Sequence, residues 1–441
     1  MSLRSIPAFP FASPWIAAAL AFTAPSPARA QDIDTLIAQA LTRNPAIKAA
    51  EYQVKALHNS PNHAWWLDPP GLGVEFFQAP VRGFPNPLKN QMEIDYSVQQ
   101  SFPFPGKIAA RIRAEHGHAE IGEAELESLK RKVVRAVKGG YHRLYLLDRR
   151  ADLNRRNREA MERLIAIARR QYEVGLGGQA EILRAQSEAT RLRMDSITLA
   201  QDRLAEAGSL NALLDHDPGA PVAVADSLAP LVGEWPPEKL AEALADIHPE
   251  LRAMQANIRM REAEGAMARK EYFPQLTLGG AYKDMRTAPV HGGAIEDYWS
   301  FAVGVDMPLA LWSLPKARAG VAQSEMNLAQ ARAGFADARN SVVARARAAA
   351  LSEAGARERL RLSREALLPQ ARQAWESALA AYQGGKTAFM AVLDAYRADL
   401  AAQEDAETAL MGLLEGQADL EESAGMDLRT LADRMSAGAA K

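Results

Sequence analysis

Cysteine is missing from all 441 residues, which excludes disulfides, thiolate metal sites and a lipidated N-terminal cysteine. Past the leading segment no uncharged apolar run approaches the roughly eighteen residues that a membrane-crossing helix requires. A dense basic tract is also lacking and the net charge is −2, so nucleic acid is not an expected partner. There is no G-x-S-x-G, no H-E-x-x-H and no Walker glycine loop, and therefore no catalytic constellation and no implied cofactor. Aromatic residues make up only 7% of the chain, which together with long alanine-rich runs favours an elongated helical assembly over compact globules. Histidine offers no metal centre. His116 and His118 diverge by about 200° on a helix at about 100° per residue, and His58 and His63 around Pro61 read as solvated surface groups. The 14 methionines are dispersed and read as packing residues.

What the chain does contain is a repetition of itself. Arg170–Met194 (RQYEVGLGGQAEILRAQSEATRLRM) returns as Ala381–Ala406 (AYQGGKTAFMAVLDAYRADLAAQEDA), with Tyr172 answering Tyr382, Gly175 answering Gly385 and Leu183 answering Leu393 at one constant offset. Each copy reads as a long helix arriving, a glycine turn and a second helix leaving. Gly175, Gly177 and Gly178 break the first copy, and Gly384 and Gly385 break the second. Leu36–Ala50 matches Leu240–Met254, Pro45 against Pro249, and Ser101-Phe102-Pro103-Phe104 answers Asp306-Met307-Pro308-Leu309. A period of roughly two hundred residues is far longer than a solenoid unit and indicates two halves of one domain.

Residues 1–30 form an address: Arg4, the apolar core Trp15–Phe22 and the cleavage site Ala28-Arg29-Ala30, which leaves Gln31 as the mature start. The first repeat then covers 31–217. Within it Ile33–Leu57 is a helix interrupted at Asn44-Pro45, a cap followed by a first-turn proline. From Asn59 the chain turns rich in proline, glycine and aromatics, and Glu93–Gln99 alternates with Ile94, Tyr96 and Val98 on one face. Gly71–Ala79 is its expected partner through a loop over Ala79–Asn90, giving a strand hairpin at about 71–101. Lys107–Glu173 lacks proline and carries a seam at Leu126, Leu129, Val133, Val137, Tyr141, Leu144, Leu147 and Ala151, and the tip falls at 174–178. A crossover occupies 218–237. The second repeat, 238–428, has alternating strands at Gln275–Lys283 and Tyr298–Met307, a loop over Thr287–Ile295 (hairpin about 275–307), a long helix over Lys316–Tyr382 and a tip at 383–386. Residues after Met426, chiefly 429–441, read as a fraying tail. The fold class is mainly α with a transmembrane β part. Four strands cannot close a membrane barrel, which needs about eight, so either they do not lie in the membrane or several chains pool them into one barrel.

This order of helix, strand hairpin, helix and glycine tip, with NPAIKAAEYQV against HPELRAMQANI, YFPQLTLGGAY, NALLDHDPG and YQGGKTAFMAVLDAYRADL, resembles the TolC-type outer-membrane efflux proteins. The resemblance spans about Asp32 to Leu428. It implies a homotrimer with a 12-stranded β-barrel in outer-membrane lipid and a periplasmic helical barrel that meets an adaptor protein and an inner-membrane pump. Such an assembly is the exit channel of a tripartite efflux system and has no enzymatic activity. Gln100-Ser101-Phe102-Pro103-Phe104-Pro105-Gly106-Lys107 resembles the strand-to-helix junction of the heavy-metal efflux branch, which points to metal cations as cargo. Leu309-Ala310-Leu311-Trp312 and the missing N-terminal cysteine depart from that branch. The family's inward carboxylate after the second tip falls on Asp394. Its second carboxylate position is Ala391 here, whose counterpart in the first repeat is Glu181. Asp394 and Glu181 are thus expected to share the negative charge of the constriction, and Tyr382 with Lys386 to form a closing latch. The glycines at 175, 177, 178, 384 and 385 shape the knobs that meet the adaptor. The rival reading is a periplasmic adaptor, which carries a single hairpin.

Overall fold

Asn44 and Pro45 divide the first helical stretch where local chemistry dictates. Pro45 opens a helix with no N–H to lose, and the Asn44 side chain accepts from the amides of Ala46 (2.9 Å) and Ile47 (3.3 Å). The computed structural model describes residues 32–77, 92–240, 244, 247–286, 295–307 and 313–438. The leader at 1–30, the loop over Ala79–Asn90, nearly all of that over Thr287–Ile295, and Leu309–Trp312 lie outside the described residues. The helices are α1 (Ile33–Arg43), α2 (Pro45–Trp65), α3 (Lys107–Glu173), α4 (Gln179–Leu213), α5 (Pro249–Lys270), α6 (Ser313–Leu362), α7 (Leu368–Gln383), α8 (Phe389–Ala424) and α9 (Leu428–Gly438). The strands are β1 (Gly71–Phe77), β2 (Glu93–Phe102), β3 (Gln275–Met285) and β4 (Tyr298–Asp306).

The strands form one antiparallel meander in the order β1-β2-β3-β4. Its register places Val74, Tyr96, Tyr282 and Trp299 in one row across the sheet, with Leu72, Val98, Gly280 and Phe301 in the next row on the same face. That face is apolar and uncovered: Leu72 and Phe301 are each 83% exposed and Trp299 is 72% exposed. The opposite face is polar. On it Lys283 Nζ reaches Glu93 (2.9 Å) and Asp95 (2.7 Å), and Ser101 bonds Thr277. β1 and β4 are the open edges.

The helices form a wall in two tiers. Beside the sheet the neighbours run α2, α3, α5, α6; toward the tips they run α4, α3, α8, then α6 with α7. α3 has 67 residues and at about 1.5 Å per residue extends on the order of 100 Å. The shorter helices match that reach by meeting end to end. The end of α4 abuts the start of α2, where Asn44 Nδ2 donates to the Leu213 carbonyl (2.9 Å). The end of α8 abuts the start of α5, so closely that a Cβ on Gly425 would lie 2.7 Å from Pro249 Cδ.

A belt covers one face of the wall at this level. α1 buries Leu36 and Ala40 against Val137, Tyr141 and Leu210. The crossover is ordered: Ala225 N–H donates to the Tyr141 hydroxyl (2.9 Å), and Gln417 bonds both the amide (3.0 Å) and the carbonyl (2.8 Å) of Leu231.

Three expectations need correction. As far as Gly438 the segment after Met426 is helical and does not fray: Leu428, Leu431 and Met435, at helical spacing, are buried with Trp235, Val342 and Leu420 in the belt core. α2 does not end near Leu57 but continues through Pro61 to Trp65, because Arg111 of α3 donates to the terminal carbonyls of Ala64 and Trp66. The long second-repeat helix is not continuous either. A π-helical turn, Ser363–Leu367, interrupts it just before Pro369, whose ring would otherwise meet the carbonyl four residues back.

Candidate functional site at the hairpin tips

Both tips fold by the same hydrogen-bond pattern. In the first, Gly175 N–H donates to Tyr172 O (3.0 Å) and Leu176 N–H to Gln171 O (2.8 Å). In the second, Gly385 donates to Tyr382 O (3.0 Å) and Lys386 to Ala381 O (2.8 Å). Gly175 and Gly385 hold φ of 75° and 67°, the left-handed conformation that closes a helix and suits glycine. The other three glycines differ in need. A Cβ on Gly177 would crowd Glu181 and Gln171, whereas Gly178 has open space and Gly384 only ordinary contacts.

Side chains break the symmetry that the backbone keeps. Tyr172 is 50% exposed and its counterpart Tyr382 only 5%. Tyr382 packs edge-on against Phe389, and its hydroxyl donates to Glu181 Oε2 at 2.7 Å, joining the second hairpin to the first. Burial, then the Glu181 carboxylate, holds the Tyr382 hydroxyl well above the usual phenol range, so it stays a donor. Glu181 itself lies in the first turn of α4, where the amide ends of the helix favour an acid.

The sequence pairing of Tyr382 with Lys386 is therefore replaced by Tyr382 with Glu181. Lys386 is exposed in the turn, lying over Gly384, while the phenol points across to α4. Asp394 is exposed on α8, 4.0 Å from Arg397, and not joined to Glu181. Arg397 in turn reaches Glu188 of α4. Beneath these polar links Met161, Leu164, Ala185, Leu192, Val392 and Tyr396 form the core that zips the hairpins together.

Sequence reading missed Glu188 and Arg397. The signal was present, since Glu188 lies seven residues after Glu181 on the same face of α4 and Arg397 three after Asp394 on α8. Further up, His58 pairs with Glu123 at the surface (2.8 Å). Among the described residues, no three His, Cys, Asp or Glu side chains are grouped to hold a metal ion, and no helix is long and apolar enough to cross a membrane.

A family model described as "Outer membrane efflux protein" matches residues 36–216 and again 240–426. No curated protein sequence matches the chain. Solved structures do. The outer-membrane channel OprN is 19% identical with a TM-score of 0.73, covering 89% of each chain. VceC from Vibrio cholerae is 16% identical with a TM-score of 0.75, over 90% of this chain and 96% of that one. The Campylobacter jejuni CmeC outer membrane channel is 12% identical with a TM-score of 0.70, over 98% of each.

Proposed function

The chain belongs to the outer membrane efflux protein family, and we propose that three copies close into one duct that takes cargo from a periplasmic adaptor and an inner-membrane pump. Membership places the protein in the Gram-negative outer membrane, with its helices reaching into the periplasm, as an efflux channel component. It leaves the adaptor reading without support.

One observation carries the proposal: the sheet turns a bare apolar face outward while, among the described residues, nothing pairs with either of its edge strands. In hydrocarbon each unpaired backbone group costs several kcal/mol, so the sheet is stable there only when other copies pair with β1 and β4. Three copies supply twelve strands, enough for a barrel. The wall's outer helices support the same closure. α4 exposes Leu183, Met194, Ile197 and Leu204, and the far edge exposes Leu351, Leu362 and Leu367.

At the tips, the Tyr382–Glu181 bond holds the second hairpin against the first and so narrows the periplasmic end. Three Asp394 carboxylates around an axis make a ring that favours cations. The Gln100–Lys107 junction supports metal cations as cargo, and the glycine tips are the surface offered to the adaptor. Planar-bilayer recording tests this reading. The detergent-extracted protein should give discrete, cation-selective steps in divalent metal salts. Tyr382→Phe and Glu181→Gln should each raise the conductance, and Asp394→Asn should weaken the selectivity. Absence of steps, or three variants that behave like the parent, would refute it.

A further inference from the structure

The two end-to-end helix joints are built on equivalent residues of different chemistry. At the first, Asn44 does two things at once: its Nδ2 donates to Leu213 O at the end of α4, and its Oδ1 accepts from the first amides of α2. The equivalent residue at the second joint is His248, before Pro249, and the equivalent carbonyl is that of Ser423 near the end of α8. His248 is only 6% exposed, and the Cδ2–Nε2 edge of its ring lies against Gly425 at the end of α8, beside the Ser423 carbonyl. Among the described residues its Nδ1 is buried and without a hydrogen-bond partner, and no side-chain bond caps α5. Of the two ring nitrogens, it is Nε2 that faces the end of α8, by Gly425.

We infer that His248 is a proton-sensitive splice between α8 and α5, which ties the tip hairpin of the second repeat to its strand-bearing half when neutral and releases it when protonated. The neutral ring with its proton on Nε2 fits the joint. A second proton must go to Nδ1, where no acceptor waits and where the positive end of the α5 backbone begins. The surrounding charges do not rescue that proton. Glu250 of α5 is paired with Arg345 of α6, and Asp419 and Glu422 of α8 both face Arg135 of α3. The remaining charged groups lining the same 680 Å³ cavity are Glu125, Arg131 and Lys132 of α3, one acid against two bases. Burial accordingly depresses the His248 pKa, with Glu250 and the Ser423 carbonyl opposing and Arg345 assisting. The sign follows: the tie is intact above the open-state value of about 6.5 and weakens as pH falls below it. The carboxamide that holds the first joint has no such proton to gain.

Hydrogen–deuterium exchange on the full chain in detergent tests the splice, corrected for the intrinsic pH dependence of exchange. Between about pH 7.5 and about pH 5.5, protection of peptides covering 418–425 and 249–256 should fall by up to about tenfold. His248→Asn, which can make both bonds that Asn44 makes, should remove that response while His216 and every other titrating group stay in place. Asn44→His should confer an acid response on peptides covering 210–216 and 45–50. Parent protein without the response, or His248→Asn that keeps it, would overturn the inference. Should His248→Asn not fold, the parent and Asn44→His still decide the matter.

Discussion

Asp399 is a carboxylic acid set almost out of reach of water. It is 4% exposed on α8, accepts from Gln403 Nε2 at 2.6 Å, and its Oδ1 has no partner among the described residues. Burial pushes its pKa up, against the pull of Gln403 and Arg372. The folded state therefore holds this proton more tightly than the unfolded one, and stability is lost as pH rises above the unfolded value of about 3.9. Asp399→Leu is expected to stabilise the protein at neutral pH by about 1–3 kcal/mol, seen as a higher melting temperature, with the gain shrinking toward about pH 4. A lower melting temperature at neutral pH would reject this account. At this scale sequence legibility was uneven. Glu181 stood out because the repeat marks its position. Its partner did not: Tyr382 has a lysine four residues away, yet its phenol spans to another hairpin, and no local spacing encodes that direction.

Elements were more readable than residues wherever a period could be heard. The four strands follow from alternation, and the β2-to-α3 corner follows from Pro103, Pro105 and Gly106, the last at φ 84°. Where a distant side chain finishes an element, pattern was silent. α2 survives Pro61 because Arg111 satisfies its last carbonyls. α9 was overlooked because an eleven-residue amphipathic piece at a terminus looks like any frayed end until its docking site is known. That site is Trp235, Val342 and Leu420, held by the crossover. Truncation after Met426 should therefore expose this core and make the belt region selectively sensitive to protease, while Ala432→Lys, at an exposed position of α9, leaves it resistant. Equal cleavage rates in the parent and the truncated chain would show that α9 adds nothing.

At the level of the molecule, the exposed apolar residues fall into groups with distinct surroundings. Those on the sheet face suit lipid; those on α4 and on the α6 edge suit another protein surface. The two are separable by experiment. Ile197→Lys with Leu204→Lys on α4 should prevent assembly, so that detergent-extracted protein sediments as a single chain with its far-ultraviolet helix signal retained. An intact trimer from this double variant would place the contact elsewhere. The repeat made this level the most legible of all, because two copies of one plan fix the order of layers without any knowledge of side-chain contacts. The wall's tiering stayed hidden, since end-to-end abutment of α4 on α2 and of α8 on α5 joins residues that are far apart in the chain.

The bare margins of β1 and β4 also govern the order of events in biogenesis. If three copies close the barrel as proposed, docking between copies precedes or accompanies insertion, because a lone chain has nowhere to satisfy those amides inside a lipid film. The arrival of this protein in its membrane is then a reaction of molecularity greater than one, and its rate climbs more steeply than linearly with the amount of chain exported.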